Sequence, residues 1–292
     1  METLQSVRLP DDKKLPSARP GTLERMTYSS NSHDPRSLPL EKEALVYLPY
    51  GYEADPVRRY PVMILSHGGG GNSDEWFGGL EGKSPLKNIL DQMIAEGELQ
   101  PLILVTPTFY YPGTESALRD IEKARMLTEN FHKEVTQDLI PAIDCRYRTI
   151  PDRDHRAFGG FSMGSETTWN MLVHAPSAFR WYLPISGDYW LLGIKAGKTL
   201  PAETCQAMLA MLRAAGYSGK DFGIFAATGT GDIAFEAMEP LVSELIKQTD
   251  WFTPAANLKD GNLVWCLSDG VHSYDYGYDY LAQALPMFFG RD

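Results

Sequence analysis

The chain has 292 residues, with 27 Lys+Arg against 38 Asp+Glu and a net charge of −11. This balance excludes the basic face that a nucleic acid or an anionic membrane would need, and no apolar run is long enough to span a bilayer. An apolar content of 43% is typical of a globular chain that folds without disulfides. We therefore expect buried thiols at Cys145, Cys205 and Cys266, with a disulfide between one pair of them as the alternative.

Residues 1–20 are polar and contain three prolines, which predicts an N-terminal arm ahead of a single domain over 21–292. The arm lacks a charged segment followed by an apolar stretch, so no signal peptide is visible. From this we expect a cytoplasmic protein, or a secreted one if a leader has been removed.

Strands and helices alternate along the rest of the chain. Stretches 22–29 and 44–48 are typical of antiparallel edge strands. Buried strands are predicted at 60–66, 102–105, 156–161, 182–185, 222–227 and 262–267. Helices are predicted at 86–94, 124–143, 163–174, 236–247 and 280–289. The alternation predicts an α/β fold with a mostly parallel central sheet, helices on both faces, and a short cap insertion near 191–219.

The strongest chemical signal is Gly160-Phe161-Ser162-Met163-Gly164, which matches Gly-x-Ser-x-Gly between a predicted strand and a predicted helix. This setting needs small residues so that backbones can approach in a sharp turn, and it leaves the serine hydroxyl exposed above the sheet. The pattern predicts that Ser162 is a nucleophile. The alternative is a tight structural turn.

A serine nucleophile needs a base and an acid, which follow it in the order Ser, Asp or Glu, His in an α/β-hydrolase. His272 lies in a loop between the last predicted strand and the last helix, where this fold places its base. Asp232 follows strand 222–227, the expected position of the acid. Three other carboxylates stay open as alternatives: Asp188, Asp269 and Glu236.

The oxyanion that forms during acyl transfer needs N–H donors. One is the backbone N–H of Met163, the residue after the nucleophile. The glycine run that begins after His67 leaves backbone N–H groups uncovered, and we favour Gly69 and Gly70 as the further donors. His67 itself is expected to brace the loop.

No cofactor or metal is predicted. A P-loop would need Gly at position 77, where Phe77 stands, and Ser73 and Asp74 stand where a dinucleotide fingerprint would want its last Gly. The six histidines lack metal-ligand spacing. Aromatic side chains gather near the predicted loop ends and suit a planar acyl group or a sugar ring. The candidates for substrate binding are Asp188, Tyr189, Trp190, Trp76 and Tyr274.

Six motifs in order resemble the feruloyl esterases of carbohydrate esterase family one, above all the esterase domains attached to bacterial xylanases. They are His67-Gly-Gly-Gly70, Pro101-Leu-Ile-Leu-Val-Thr-Pro-Thr108, Gly159-Gly-Phe-Ser-Met-Gly164, Pro184-Ile-Ser-Gly-Asp-Tyr-Trp190, Phe225-Ala-Ala-Thr-Gly229 with Asp232-Ile-Ala234, and Ala284-Leu-Pro-Met-Phe-Phe289. The resemblance implies the same triad of Ser162, Asp232 and His272.

The resemblance also implies the substrate: a feruloylated arabinoxylan or oligosaccharide, with release of ferulic or related hydroxycinnamic acids. It implies no nucleic acid, membrane or obligate protein partner. The alternatives are an acetyl xylan esterase, a short-chain carboxylesterase or thioester hydrolase, and a non-catalytic carbohydrate-binding protein on a hydrolase fold.

Overall fold

The computed structural model describes residues 4–114 and 120–290. Over those ranges one sheet of eight strands runs through the molecule in the order β1-β2-β4-β3-β5-β6-β7-β8. The strands are β1 Thr22–Asn31, β2 Pro39–Leu48, β3 Val62–Ser66, β4 Ile103–Pro107, β5 Arg156–Phe161, β6 Trp181–Ile185, β7 Gly223–Gly231 and β8 Leu263–Val271. Strands β3 to β8 are parallel, whereas β1 and β2 pair antiparallel at one edge. The predicted α/β-hydrolase architecture is confirmed.

Helices cover both faces of the sheet. They are α1 Leu86–Ala95, α2 Ile121–Glu134, α3 Ile140–Arg146, α4 Met163–His174, α5 Ala196–Thr199, α6 Pro201–Ala214, α7 Phe235–Ile246 and α8 Tyr274–Phe289. A π-helical turn, Val135–Leu139, joins α2 to α3, so the predicted helix 124–143 is interrupted there. No helix among the described residues is both long and apolar enough to cross a bilayer.

Two apolar cores lie on opposite sides of the sheet. Because successive side chains of a strand point to opposite faces, Val46 belongs to the core beneath α2, α4, α6 and α7, and Tyr47 to the core beneath α1 and α8. The insertion near 191–219 forms α5 and α6, and α6 buries Met208 and Leu212 in the first core. The insertion therefore packs on α7 and α4 as part of that face.

The described part of the N-terminal arm, residues 4–20, lies against the domain. Val7 is buried, the Leu9 N–H donates to Asp279 at 3.1 Å, and the Gln5 N–H donates to the Leu267 carbonyl at 2.7 Å. Of the three thiols expected to be buried, Cys205 and Cys266 are buried, but Cys145 is exposed near the end of α3. The expectation for Cys145 was wrong because α3 covers the sheet with only one of its faces.

Candidate active site

Ser162 occupies the turn between β5 and α4, with φ 58° and ψ −115°. This left-handed conformation is costly for a residue with a side chain, and such strain is typical of functional turns. The turn is tight because small residues flank it: a Cβ on Gly160 would lie 2.5 Å from the Gly164 carbonyl oxygen. Ser162 donates its N–H to the Ile185 carbonyl at 2.9 Å, which ties the turn to β6.

His272 follows β8 and brings its ring beside Ser162. Its Nε2 lies 3.0 Å from Ser162 Oγ, and its Nδ1 lies 2.7 Å from Asp232 Oδ1. With the Nδ1 proton directed at the carboxylate, Nε2 presents its lone pair to the serine hydroxyl. The ring packs on Phe161 at 4.5 Å between centroids, and about a fifth of its side chain is exposed. The base position is therefore fixed and open to a reactant.

Asp232 is the carboxylate that the structure brings to His272. Its side chain is buried directly after β7, whose register with β8 shifts between Gly229 and Gly231, and Oδ1 also accepts the Ala234 N–H at 2.7 Å. Asp188 instead accepts from the Gly197 N–H and from Trp190 Nε1. Glu236 pairs with Lys198 at the surface.

Two N–H groups of the glycine loop are engaged by tyrosine hydroxyls. The N–H of Gly70 donates to the Tyr110 hydroxyl at 3.1 Å, so it is already engaged. Gly68 likewise donates to the Tyr274 hydroxyl at 2.8 Å. Among the residues that the structure describes, the N–H groups of Gly69 and Met163 have no acceptor. Gly70 stays a prediction as an oxyanion donor, and its N–H is engaged here by the Tyr110 hydroxyl, a contact that sequence alone does not place.

His67 braces the glycine loop. Its two ring nitrogens contact the Gly68 carbonyl at 2.6 Å and Thr108 Oγ1 at 2.7 Å, and the ring packs against Phe109. Burial lowers the pKa of His67 from 6.5 to about 4. A neutral imidazole with both nitrogens engaged holds a loop in place and has no free nitrogen for proton transfer.

The predicted substrate-binding residues separate into two groups. Tyr274 lines the cleft over Ser162, a depression of about 260 Å³ that also contains Gly69, Phe161 and His272. Trp190 is partly buried and does not line this cleft. It lines a separate hollow between α2 and α4, with Arg125, Glu129, Glu166, Asn170 and His174.

Three other candidates turn inward. Trp76 is fully buried and donates its Nε1 to the Ser66 carbonyl at 3.0 Å, and Tyr189 and Asp188 are also buried. As the structure stands, their side chains present no open face to a substrate, because tertiary packing covers them. They support the loops around the cleft.

Sequence reasoning missed the supports of the glycine loop. The buried Lys42 donates Nζ to the carbonyls of Thr108 and Tyr110 at 2.8 Å each, and pairs with the buried Glu134 at 3.0 Å. These contacts of Lys42 hold the segment that places the Tyr110 hydroxyl against the Gly70 N–H. The available signal was a lysine next to the apolar run that begins at Ala44 of β2.

The serine lies in a strained turn between a strand and a helix, and a hydrogen-bonded histidine and carboxylate lie beside it. This arrangement defines an α/β-hydrolase. The family model described as "Putative esterase" matches residues 36–277 of this chain. The chain therefore belongs to this esterase family, and it is a carboxylic ester hydrolase.

Xylanases are among its relatives. The chain is 33% identical over 291 residues to endo-1,4-beta-xylanase Y of Acetivibrio thermocellus, covering 96% of this chain and 24% of that protein. It is 32% identical over 174 residues to an endo-1,4-beta-xylanase/feruloyl esterase of Xylanibacter ruminicola, covering 59% of this chain and 22% of that protein. The chain thus spans about a quarter of the length of these relatives.

A solved structure matches over nearly the whole chain. It is a serine-to-alanine variant of the feruloyl esterase module from Clostridium thermocellum in complex with sinapinate, with a TM-score of 0.81 and 31% identity. The match covers 99% of this chain and 95% of that one. The resemblance drawn from the six sequence motifs is confirmed.

Proposed function

We propose that the protein is a feruloyl esterase that releases ferulic or related hydroxycinnamic acids from arabinoxylan esters through an acyl-enzyme on Ser162. The observation that carries this proposal is the hydrogen-bonded chain from Ser162 Oγ through His272 to Asp232. Binding alone would need no such chain, which argues against a non-catalytic carbohydrate-binding protein.

The mechanism follows from these contacts. His272 Nε2 takes the Ser162 proton as Oγ bonds to the ester carbonyl carbon, and the carbonyl oxygen becomes an oxyanion between the N–H groups of Gly69 and Met163. His272 then protonates the departing sugar oxygen as the ester bond breaks. A water molecule, deprotonated by the same nitrogen, attacks the acyl-enzyme and frees the acid. Asp232 holds the imidazole in the tautomer that both halves need.

We infer that the acyl group lies on the β6 side of the serine. Gly187 is the second residue after β6 and lies against the turn at Ser162, since a Cβ there would be 2.5 Å from the Ser162 carbonyl oxygen. Trp190 follows three residues later, and its Nε1 is held by Asp188 at 3.2 Å. A partly buried indole on the segment that passes the turn at Ser162 suits a planar phenolic ring. The module of Clostridium thermocellum, solved with sinapinate, supports the same acyl class.

The principal alternative is an acetyl xylan esterase or a short-chain carboxylesterase with the same triad. Initial rates of the wild-type enzyme on methyl ferulate and on an aryl acetate separate the two. An aromatic contact adds about 0.5–1.5 kcal/mol and burial of a phenyl-sized group about 1.5–3 kcal/mol. We therefore expect a specificity for the feruloyl ester that is about 30-fold to 2000-fold higher. Faster hydrolysis of acetylated xylan than of methyl ferulate would favour the alternative.

A further inference from the structure

A groove extends from the active-site cleft along the edge of the sheet. The cleft over Ser162 shares Gly70 and Gly71 with a second depression of about 620 Å³. We call this depression the sugar groove. The residues that form its walls and far end are Arg25, Glu41, Glu43, Asn72, Asp74 and Tyr111.

The sheet topology explains why the groove starts at the nucleophile. Parallel strands β5, β3 and β4 end at the same edge, so Ser162, the glycine loop and Tyr111 follow one another along it. Strand β2 runs antiparallel to β4, with Ala44 opposite Pro107, which brings Glu41 and Glu43 to that edge as well. Three strand spacings of about 4.8 Å separate β5 from β2, a length of about 14 Å. The groove is therefore long enough for a few sugar rings.

The floor of the groove is fixed before any ligand arrives. Gly70 is tied to the Tyr110 hydroxyl, and Lys42 is tied to the carbonyls of Thr108 and Tyr110. These bonds hold the backbone between Ser162 and the far end of the groove in one conformation. A preformed surface of this kind binds an extended ligand without a large cost in ordering.

The walls carry the groups that a neutral glycan would use. Arg25 is held between Glu43 at 3.1 Å and Asp74 at 2.8 Å, while Glu41 and Asn72 are exposed. Carboxylate and amide oxygens accept hydrogen bonds from sugar hydroxyls, and guanidinium and amide N–H groups donate to them. Three carboxylates line the groove, Glu41, Glu43 and Asp74, against Arg25 and a Lys42 that is paired with Glu134. This excess of negative charge would repel an anionic polymer.

An aromatic ring marks the far end. Tyr111 is partly buried, and its hydroxyl accepts a hydrogen bond from Arg36 at 2.9 Å, which fixes the ring at the surface. A fixed tyrosine ring offers an apolar face to the C–H face of a sugar, with little loss of side-chain entropy. Polar walls that lead to an aromatic ring suit a carbohydrate better than an apolar peptide.

We propose that the sugar groove binds the xylan chain on the alcohol side of the ester, with Tyr111 as its distal contact. The inference rests on the proposed function: the acyl group lies on the β6 side of Ser162 and the sugar chain on the β3 and β4 side. The groove therefore distinguishes a polymeric or oligosaccharide ester from a simple alkyl ester of the same acid.

The test compares feruloylated arabinoxylo-oligosaccharide with methyl ferulate, which has no sugar. For Tyr111→Ala we expect about a tenfold loss of kcat/KM on the oligosaccharide, mainly through KM, and a change below about twofold on methyl ferulate, since one aromatic contact is worth about tenfold. Tyr111→Phe keeps the ring and should stay close to the wild type on both substrates. The matched control is Tyr50→Ala, because Tyr50 is an exposed tyrosine beyond the opposite end of β2.

Equal losses of kcat/KM on both substrates in Tyr111→Ala would overturn the proposed role of the groove, because the residue would then act through the fold. Unchanged kinetics on the oligosaccharide would also overturn it. Failure of the wild-type enzyme on methyl ferulate is a different result, since it would contradict the feruloyl proposal. In that case the wild type and the Tyr111 variants are compared on acetylated xylo-oligosaccharide and on an aryl acetate, which tests the groove in the same way.

Discussion

The N–H of Gly70 donates a hydrogen bond to the hydroxyl oxygen of Tyr110 at 3.1 Å. This contact engages the Gly70 N–H and fixes the loop that carries Gly69. Tyr110 is in turn held by Lys42, whose Nζ donates to its carbonyl at 2.8 Å. The conformation of the glycine loop, which carries the proposed oxyanion donor Gly69, thus depends on a residue that follows the neighbouring strand β4.

Removal of the Tyr110 hydroxyl should therefore impair turnover more than substrate binding. Tyr110→Phe loses one hydrogen bond of about 1 kcal/mol, and we expect kcat to fall about fivefold with KM nearly unchanged. The measurement is steady-state kinetics on methyl ferulate. Tyr182→Phe is the control, because the Tyr182 hydroxyl donates to the Phe179 carbonyl in the core. A fall in kcat of the same size in both variants would contradict this positioning role.

Asp232→Asn should keep the fold and lower kcat by about 10⁴-fold, because the amide favours the wrong imidazole tautomer. Asp188→Asn is the matched variant at the other buried aspartate after a strand. Since Asp188 contacts Gly197 and Trp190 and does not contact His272, its substitution should affect Tm more than kcat. The opposite pattern in the two variants would assign the acid to Asp188.

Trp190→Ala should erode hydrolysis of methyl ferulate much more than hydrolysis of an aryl acetate. The aromatic contact and the buried area lost with the indole affect only the larger acyl group. Trp190→Phe keeps a ring but not the bond to Asp188, and we expect it to retain most of the feruloyl preference. Parallel losses on both substrates would indicate that Trp190 supports the fold and does not bind the acyl group.

Glu166 should make the free energy of unfolding depend on pH. It lies buried on α4, and burial raises its pKa from 4.5 to about 8. The unfolded chain releases this proton at a lower pH than the folded protein. The contribution of the protonated Glu166 side chain to the free energy of unfolding is therefore fully present below pH 4.5. That contribution is lost as pH rises to about 8.

Glu166→Gln cannot ionise and should escape that loss. We expect the variant to be more stable than the wild type at pH 9 by several kcal/mol, since each tenfold change in proton affinity is worth about 1.4 kcal/mol. At pH 4 the two should be similar. Urea denaturation at both pH values measures this, with Glu203→Gln as a control at an exposed glutamate of α6. A pH-independent difference between Glu166→Gln and the wild type would contradict the raised pKa.

Elements with strong local signals could be predicted from the sequence. Strand β5 and helix α4 have the predicted bounds because the glycine-rich turn at Ser162 punctuates them. Helix α8 begins at Tyr274, whereas the sequence predicted a start at residue 280. The prediction missed the first turn because that turn contains Gly277 and lacks a continuous apolar stripe. The sequence order of serine, acid and base pointed to the three side chains that the fold brings together.

Contacts between distant segments could not be predicted. Whether an aromatic residue lines the cleft or fills the core depends on tertiary packing, and Trp76 lies against Tyr274 and Tyr278 in the core. The bond between Gly70 and Tyr110 joins two loops that are 40 positions apart in sequence. No local sequence pattern predicts such a contact, because the spacing of residues along the chain shows only which strand a loop residue follows.

The most direct test of the central claim is the rate of methyl ferulate hydrolysis by Ser162→Ala. Position 162 already holds a Cβ in its strained turn, so loss of the hydroxyl should leave Tm within a few degrees. Hydrolysis should fall by about 10⁶-fold, as in comparable triads, because no acyl-enzyme can form. A folded Ser162→Ala protein that retained more than about one percent of the wild-type rate would contradict the account, since about one percent lies far above that expected loss.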